Sequence, residues 1–235
     1  LASDGNWRTL DVFTETAAFV VHPPLGKWTI AVGEYLFGMT PFGWRFAVAV
    51  LGTLSILMVA RITRRLTRSD LIGTLAGLLL AVEGMHLVLS RTGLLDLILM
   101  FWVLAAFGLL LLDRDRTRRL LAERVSRDGI DAMATEWGPR LGLRPYRWAA
   151  AVALGLACSV KWSGLWFLAF FAIMSVVWDI SARRAVGVRR PWVATILRDA
   201  PVAAVSMVAI AAVVYLASWS GWLLTDGGYD RAWAA

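Results

Sequence analysis

Three short polar clusters interrupt the apolar runs of this chain: His22-Pro23-Pro24-Leu25-Gly26-Lys27, then Glu83 and His86 with the turn Ser90-Arg91-Thr92-Gly93 and Asp96, and finally Lys161-Trp162-Ser163-Gly164. Ionisable groups in or beside membrane-length apolar runs are costly unless they face a wet cavity or a partner. Glu83 and His86 stand three residues apart and Glu83 and Ser90 seven, so one helix face can present all three. Two readings stand for this set. In the first, Arg91 is the countercharge of Asp96 and the pair braces a helix hairpin. In the second, Arg45, Arg91 and Lys161 converge on an anion at the membrane boundary, where a lipid phosphate is the anion most available. The prolines of the first cluster fix the backbone and Gly26 lets it pass close to a neighbour. That cluster is either a rigid polar turn or a helix start with proline near its first turn.

The elements that must position these groups follow from composition. Of 235 residues, 59% are apolar and 17% charged, and the charges are segregated between long apolar runs. The expected class is an all-α polytopic membrane protein, because lipid-exposed backbone must satisfy its own hydrogen bonds. Six spans are expected, at 44–60, 71–89, 94–112, 148–161, 162–180 and 200–220. They follow an extracytoplasmic segment 1–43 that carries the first cluster, flank a loop 113–147, and lead to the start of a further extracytoplasmic loop over 221–235. Eighteen of the 24 Lys and Arg residues fall in the three loops around Arg61–Arg68, Arg114–Arg147 and Arg183–Arg198. The positive-inside rule makes those loops cytoplasmic and both chain ends extracytoplasmic, in a multi-pass protein of the cell membrane. The remaining cations, Arg8, Lys27, Arg45, Arg91, Lys161 and Arg231, then lie on or near the outer face.

The run from Trp148 to Trp178 gives roughly 46 Å of helix, short of the roughly 60 Å that two spans need. A tight hairpin is expected, with Arg144, Arg147, Arg183 and Arg184 snorkelling inward and Lys161-Trp162 at a tip below the surface. Segment 114–147 mixes arginine with Leu120, Leu121, Ile130 and Met133, the pattern of an amphipathic helix lying on the cytoplasmic surface. The net charge of +7 is accounted for by topology, so no nucleic-acid partner is expected. One cysteine, Cys158, excludes an intrachain disulfide, and no CxxC pair points to a metal. With no initiator methionine before Leu1 and no signal region, the chain is expected to be an internal piece of something longer.

The runs "FVVHPPLGKW", "PFGWRFAVAVLGTLSI", "VEGMHLVLSRTGLLDLILMFW" and "CSVKWSGLWF", in that order, resemble the protein O-mannosyltransferase family in its bacterial, actinobacterial-type branch. The resemblance covers nearly the whole chain and implies a GT-C membrane glycosyltransferase. Such an enzyme moves mannose, with inversion, from polyprenyl-phosphate mannose to Ser or Thr hydroxyls of secreted polypeptides, in some settings at the secretion channel. No nucleotide cofactor is expected, since the lipid phosphate already activates the sugar; no metal-ligating residues are expected in this chain, and the metal requirement of the reaction is left open. In the family the acid that serves as base belongs to an Asp-Glu pair ahead of the HPPLGK turn. No Asp-Glu dipeptide occurs here, so the base is expected upstream of Leu1, with Asp96 as a weak candidate. The acidic residue that many eukaryotic members carry shortly before the turn is here Val20 or Val21.

A hydroxyl that attacks the sugar must lose its proton, so a carboxylate serves as general base while cations stabilise the departing phosphate. Arg45, Lys161 and Arg91 are the expected phosphate contacts. His22, Pro23, Pro24, Lys27, Trp162, Glu83 and His86 are expected to shape the pocket, with Glu83 and Asp96 orienting cations. Two other readings remain: a related GT-C enzyme acting on a lipid or glycan, and a non-enzymatic transporter or subunit. A transporter would be expected to show two related halves, and no such repeat is visible.

Overall fold

A computed structural model describes residues 21–225, and every regular element among them is helical. In chain order the helices are α1 (Leu25–Phe37), α2 (Pro41–Thr67), α3 (Asp70–Val82), α4 (Gly84–Arg91), α5 (Leu95–Asp128), α6 (Ile130–Met133), α7 (Pro145–Val160), α8 (Gly164–Ala185), α9 (Pro191–Ser218) and α10 (Ser220–Leu224). The expectations placed on residues 1–20 and 226–235, including Arg8, Val20 and Arg231, lie outside the described residues.

The all-α membrane class holds, but six full spans are not found. Among the described residues four helices, α2, α5, α8 and α9, are long and apolar enough to cross a membrane. The pair α3 and α4 makes a fifth only as one broken span, bent by 60°. The expected span 148–161 is α7, whose 16 residues reach about 24 Å, less than the roughly 30 Å hydrocarbon core. Segment 1–43, expected as a loop, carries the 13-residue helix α1.

The chain divides into two compact units. The first takes its described residues from Leu1–Leu104, Leu156–Gly164 and Val214–Ala235. Its helices approach closely because small residues stand where they cross, the usual device where lipid gives helices no hydrophobic reason to associate. Gly33 of α1 lies against the backbone of Gly43 in α2, and Gly73 and Gly77 of α3 lie against Ala60 of α2. Thr40 starts α2 by accepting the Gly43 N–H at 3.1 Å, and Ser69 starts α3 by accepting the Ile72 N–H at 3.3 Å. A buried cluster of Val48, Leu97, Ile98, Leu99, Ala157 and Val160 forms the core. Leu75, Leu78, Leu79 and Val82 of α3 point outward, as lipid-facing side chains do.

The second unit, Ala105–Gly155 and Leu165–Val213, is held by charge as well as by packing. Helix α5 does not stop at the end of its apolar run. No breaker intervenes before Gly129, whose φ of 82° ends the helix, so the first half of segment 114–147 extends α5 and is not a separate surface helix. Arg144 donates its Nε to both carboxylate oxygens of Asp113, at 3.0 and 2.8 Å, and its Nη1 to Asp179 at 3.0 Å. Arg147 Nη1 reaches the other Asp179 oxygen at 3.5 Å. Arg183, fully buried, donates to both oxygens of Asp199, at 2.7 and 3.0 Å, and to the carbonyls of Trp137 and Pro139. Three of the four arginines expected to snorkel are therefore buried in ion pairs. Carboxylates next to the apolar runs give them nearer partners than the headgroups, and only Arg184 stays exposed, over the Trp192 ring. Beneath this network lies a small core of Leu121, Met133, Leu141, Ala182, Val186 and Val188.

Candidate functional site

Within the first unit the packing of three backbone turns draws the sequence motifs together. Pro24 caps α1, its carbonyl accepting the Trp28 N–H at 3.0 Å, so the first cluster is a helix start with proline at its edge. At the second residue of α1, Gly26 is buried so tightly that a Cβ there would lie 2.5 Å from Leu95 and 3.3 Å from Val160. Those two residues immediately precede Asp96 and Lys161. Lys161 Nζ donates to Asp96 Oδ1 at 2.9 Å, with the two side chains 33% and 52% exposed. The Lys27 turn, Asp96 and Lys161 thus share one small region, with the pair open to water or ligand.

A second approach adds the remaining cations. Gly93, with φ 66°, follows Arg91 and Thr92 and lies against the ring of Trp44, which occupies the space a side chain at Gly93 would need. Arg45 is exposed, its guanidinium 4.4 Å from the Trp44 ring centroid. It stands at an open groove of about 600 Å³ on α2, walled by Pro41, Phe42, Phe46, Val50 and Leu54. At the third turn, Gly164 lies against the backbone of Ala157 and Cys158, which closes the α7–α8 hairpin. Trp162 is exposed there and donates its Nε1 proton to the Tyr215 hydroxyl at 3.1 Å.

The structure pairs Asp96 with Lys161 and packs Gly26, the neighbour of Lys27, on the residues that precede them; Arg45 lies on the Trp44 ring, which packs on Gly93, two residues after Arg91. The structure corrects three details. Asp96 pairs with Lys161, and among the described residues Arg91 has no carboxylate partner, because Gly26 packing sets Leu95 against Val160. Among the described residues Glu83 pairs with no cation. It is the N-cap of α4, its oxygens accepting the N–H groups of Met85 at 3.1 Å and His86 at 2.7 Å, and there the chain bends. Glu83, His86 and Ser90 therefore share no polar helix face: His86 is buried, its Nδ1 unpartnered among the described residues, and Ser90 donates to the Leu87 carbonyl. His22 is half-buried and Pro23 buried beside the α1 start. Tyr215 escaped sequence reasoning, its only signal being a phenol inside an apolar run. Among the described residues no three His, Cys, Asp or Glu side chains gather as metal ligands.

The model of the dolichyl-phosphate-mannose-protein mannosyltransferase family matches residues 21–125. The chain is 46% identical over 217 residues to a polyprenol-phosphate-mannose–protein mannosyltransferase of Mycobacterium tuberculosis (strain H37Rv), covering 90% of the chain and 40% of that relative. Over nine-tenths of its length the chain is similar to bacterial members of the protein O-mannosyltransferase family. A Corynebacterium glutamicum protein of the same name is 42% identical over 212 residues, again with 90% and 40% covered. A shorter similarity, 37% over 102 residues, 42% of the chain and 19% of the relative, is to the undecaprenyl phosphate-alpha-4-amino-4-deoxy-L-arabinose arabinosyl transferase of Pseudomonas aeruginosa (strain LESB58). The chain spans about 40% of the length of the first of these mannosyltransferase relatives. No solved structure matches it. The multi-pass, all-helical architecture agrees with the GT-C class expected of this family.

Proposed function

We propose that this chain forms the lipid-donor side of an inverting mannosyltransferase that moves mannose from polyprenyl-phosphate mannose to Ser or Thr hydroxyls of secreted polypeptides, on the extracytoplasmic face of the cell membrane. The observation that carries the reading is the Lys161–Asp96 pair, held beside the Lys27 turn by the packing of Gly26 on Leu95 and Val160. The acceptor oxygen attacks the anomeric carbon, the bond from that carbon to the phosphate oxygen breaks, and polyprenyl phosphate leaves with an added negative charge. Lys161, pre-set by Asp96, stabilises that charge together with Arg45 and Arg91, and a charge so placed in advance needs no reorganisation during reaction. The apolar groove beside Arg45 takes the first isoprene units. The hydroxyl proton passes to a base outside this constellation, since both Glu83 oxygens cap α4 and Asp96 is committed to Lys161. His22, Pro23 and Pro24 wall the sugar end, and acceptors arrive unfolded as they leave the secretion channel.

A second reading, transfer to a lipid-borne acceptor, is favoured by the similarity to the Pseudomonas arabinosyl transferase. The test is a membrane assay of the full-length protein with radiolabelled polyprenyl-phosphate mannose and a Ser/Thr-rich peptide. The expected product is labelled peptide from which alkaline β-elimination releases mannose. Unlabelled peptide together with label in a new mannolipid distinct from the donor would overturn protein O-mannosylation in favour of the second reading.

A further inference from the structure

The second unit carries a basic cavity that the mannosyl-transfer reading does not use. It encloses about 330 Å³ at the start of α7 and is lined by Arg140, Arg144, Arg147, Arg198, Asp199 and Val202, among others. Asp199 is already bound through both oxygens to Arg183, and Arg144 is bound to Asp113 and Asp179. Counting Arg183, five guanidinium groups face three carboxylates, a surplus of two positive charges. Among the described residues no carboxylate pairs with Arg140 or Arg198. Arg147 is 2% exposed, and its buried Nε has no hydrogen-bond partner among the described residues. A buried guanidinium with an idle donor, next to two unneutralised arginines, fits an anion with several acceptor oxygens.

The wall beyond Val202 is of the opposite character. Val202 also lines a groove of about 550 Å³ formed by Trp148, Pro201, Val205, Ala209 and Ile210, nearly all of it apolar. Helix α9 supplies this boundary through two π-helical turns, Thr195–Asp199 and Val205–Ala209, the first carrying Arg198 and Asp199. Such turns widen a helix and recur at functional sites. A basic cavity with room for a phosphate headgroup and an apolar groove that shares Val202 with it match the two halves of one molecule.

We propose that this cavity and groove bind an anionic phospholipid, its phosphate held by Arg147, Arg140 and Arg198 and one chain lying along α9 past Val202. Basic pockets between membrane helices take phospholipid headgroups by the same charge complementarity. A soluble phosphate would leave the apolar half empty.

The test is native mass spectrometry of the full chain in neutral detergent, titrated with palmitoyl-oleoyl phosphatidylglycerol. One retained lipid per chain is expected, with phosphatidylcholine bound at least tenfold more weakly. Arg140→Gln with Arg198→Gln should weaken phosphatidylglycerol at least tenfold, and Val202→Trp, which fills the groove, should do the same. Arg45→Gln, at the donor groove, should leave it unchanged. Equal retention of phosphatidylcholine, or full retention by the double arginine variant with intact helical circular dichroism, would overturn the proposal. So would displacement of the lipid by 1 mM inorganic phosphate together with an inert Val202→Trp, since the site would then serve a soluble anion. Should the double variant lose helix content, Arg198→Gln alone decides, with a threefold or larger loss expected and no loss refuting.

Discussion

Replacing Lys161 and Asp96 singly and together separates a donor-phosphate contact from a structural brace. Both side chains are substantially exposed, so the ion pair is screened and contributes about 0 to 1 kcal/mol to stability. Asp96→Asn and Lys161→Met should therefore shift the melting temperature in detergent by no more than a few degrees. The transfer reaction should respond much more strongly. A charge-assisted hydrogen bond to phosphate is worth about 1.5 to 3 kcal/mol, so Lys161→Met should lower kcat/KM by about 10- to 150-fold. Since the leaving phosphate gains charge in the transition state, part of that loss should appear in kcat. If Asp96 acts only by holding Lys161, the double variant should be no worse than Lys161→Met, and the coupling in the cycle should be strong. The assay is mannose transfer by the full-length protein in membranes, with expression and melting measured in parallel. A loss beyond about 10⁴-fold in Asp96→Asn alone, with Lys161→Met near normal, would identify Asp96 as the general base and refute the assignment.

Three further outcomes are expected. Gly26→Val should collide with Leu95 and Val160, costing about 1 to 3 kcal/mol by overpacking, and should weaken donor affinity as the Lys27 turn is displaced from Lys161; thermal unfolding and donor titration check both, and unchanged donor affinity in folded protein would detach α1 from the site. Asp199→Asn should destabilise the second unit by about 3 to 5 kcal/mol, because it leaves the buried Arg183 without its countercharge, and limited proteolysis should then cut faster around residues 129–142. In a Cys158→Ala background, cysteines at Ser69 and Ser126 should stay silent to an impermeant thiol reagent in intact cells while one at Thr225 reacts; the reverse pattern would invert the sidedness used above.

The helical class and the motifs around Lys27, Arg91 and Lys161 were legible because each leaves a local mark: apolar runs of membrane length, prolines before a helix, a glycine after a cation. The partner of Asp96 was not. Arg91 is the closer cation along the chain, and only the packing of Gly26 against residues of two distant helices sets Lys161 against Asp96, 65 positions away. The bend at Glu83 was hidden for a related reason, since a carboxylate that accepts two backbone N–H groups looks in sequence like any membrane-embedded acid. The buried arginine network shows the same limit. Arg144 and Arg183 sit where snorkelling residues sit, and only the fold reveals that Asp113, Asp179 and Asp199 are nearer than water.

The brevity of α7 makes the site sensitive to the lipid around it. Sixteen residues fall about 6 Å short of the hydrocarbon thickness, so with one end of α7 level with its headgroups the Lys161 end lies below the opposite headgroup plane. Under the proposed function a donor phosphate must sink to meet it, or the membrane must thin, at a cost of a fraction of a kcal/mol per Å. Acyl chains of increasing length would draw the donor headgroup away from its lysine and slow transfer without touching a single side chain. Under the proposed function, the length of one helix thus ties sugar transfer to the thickness of the surrounding membrane.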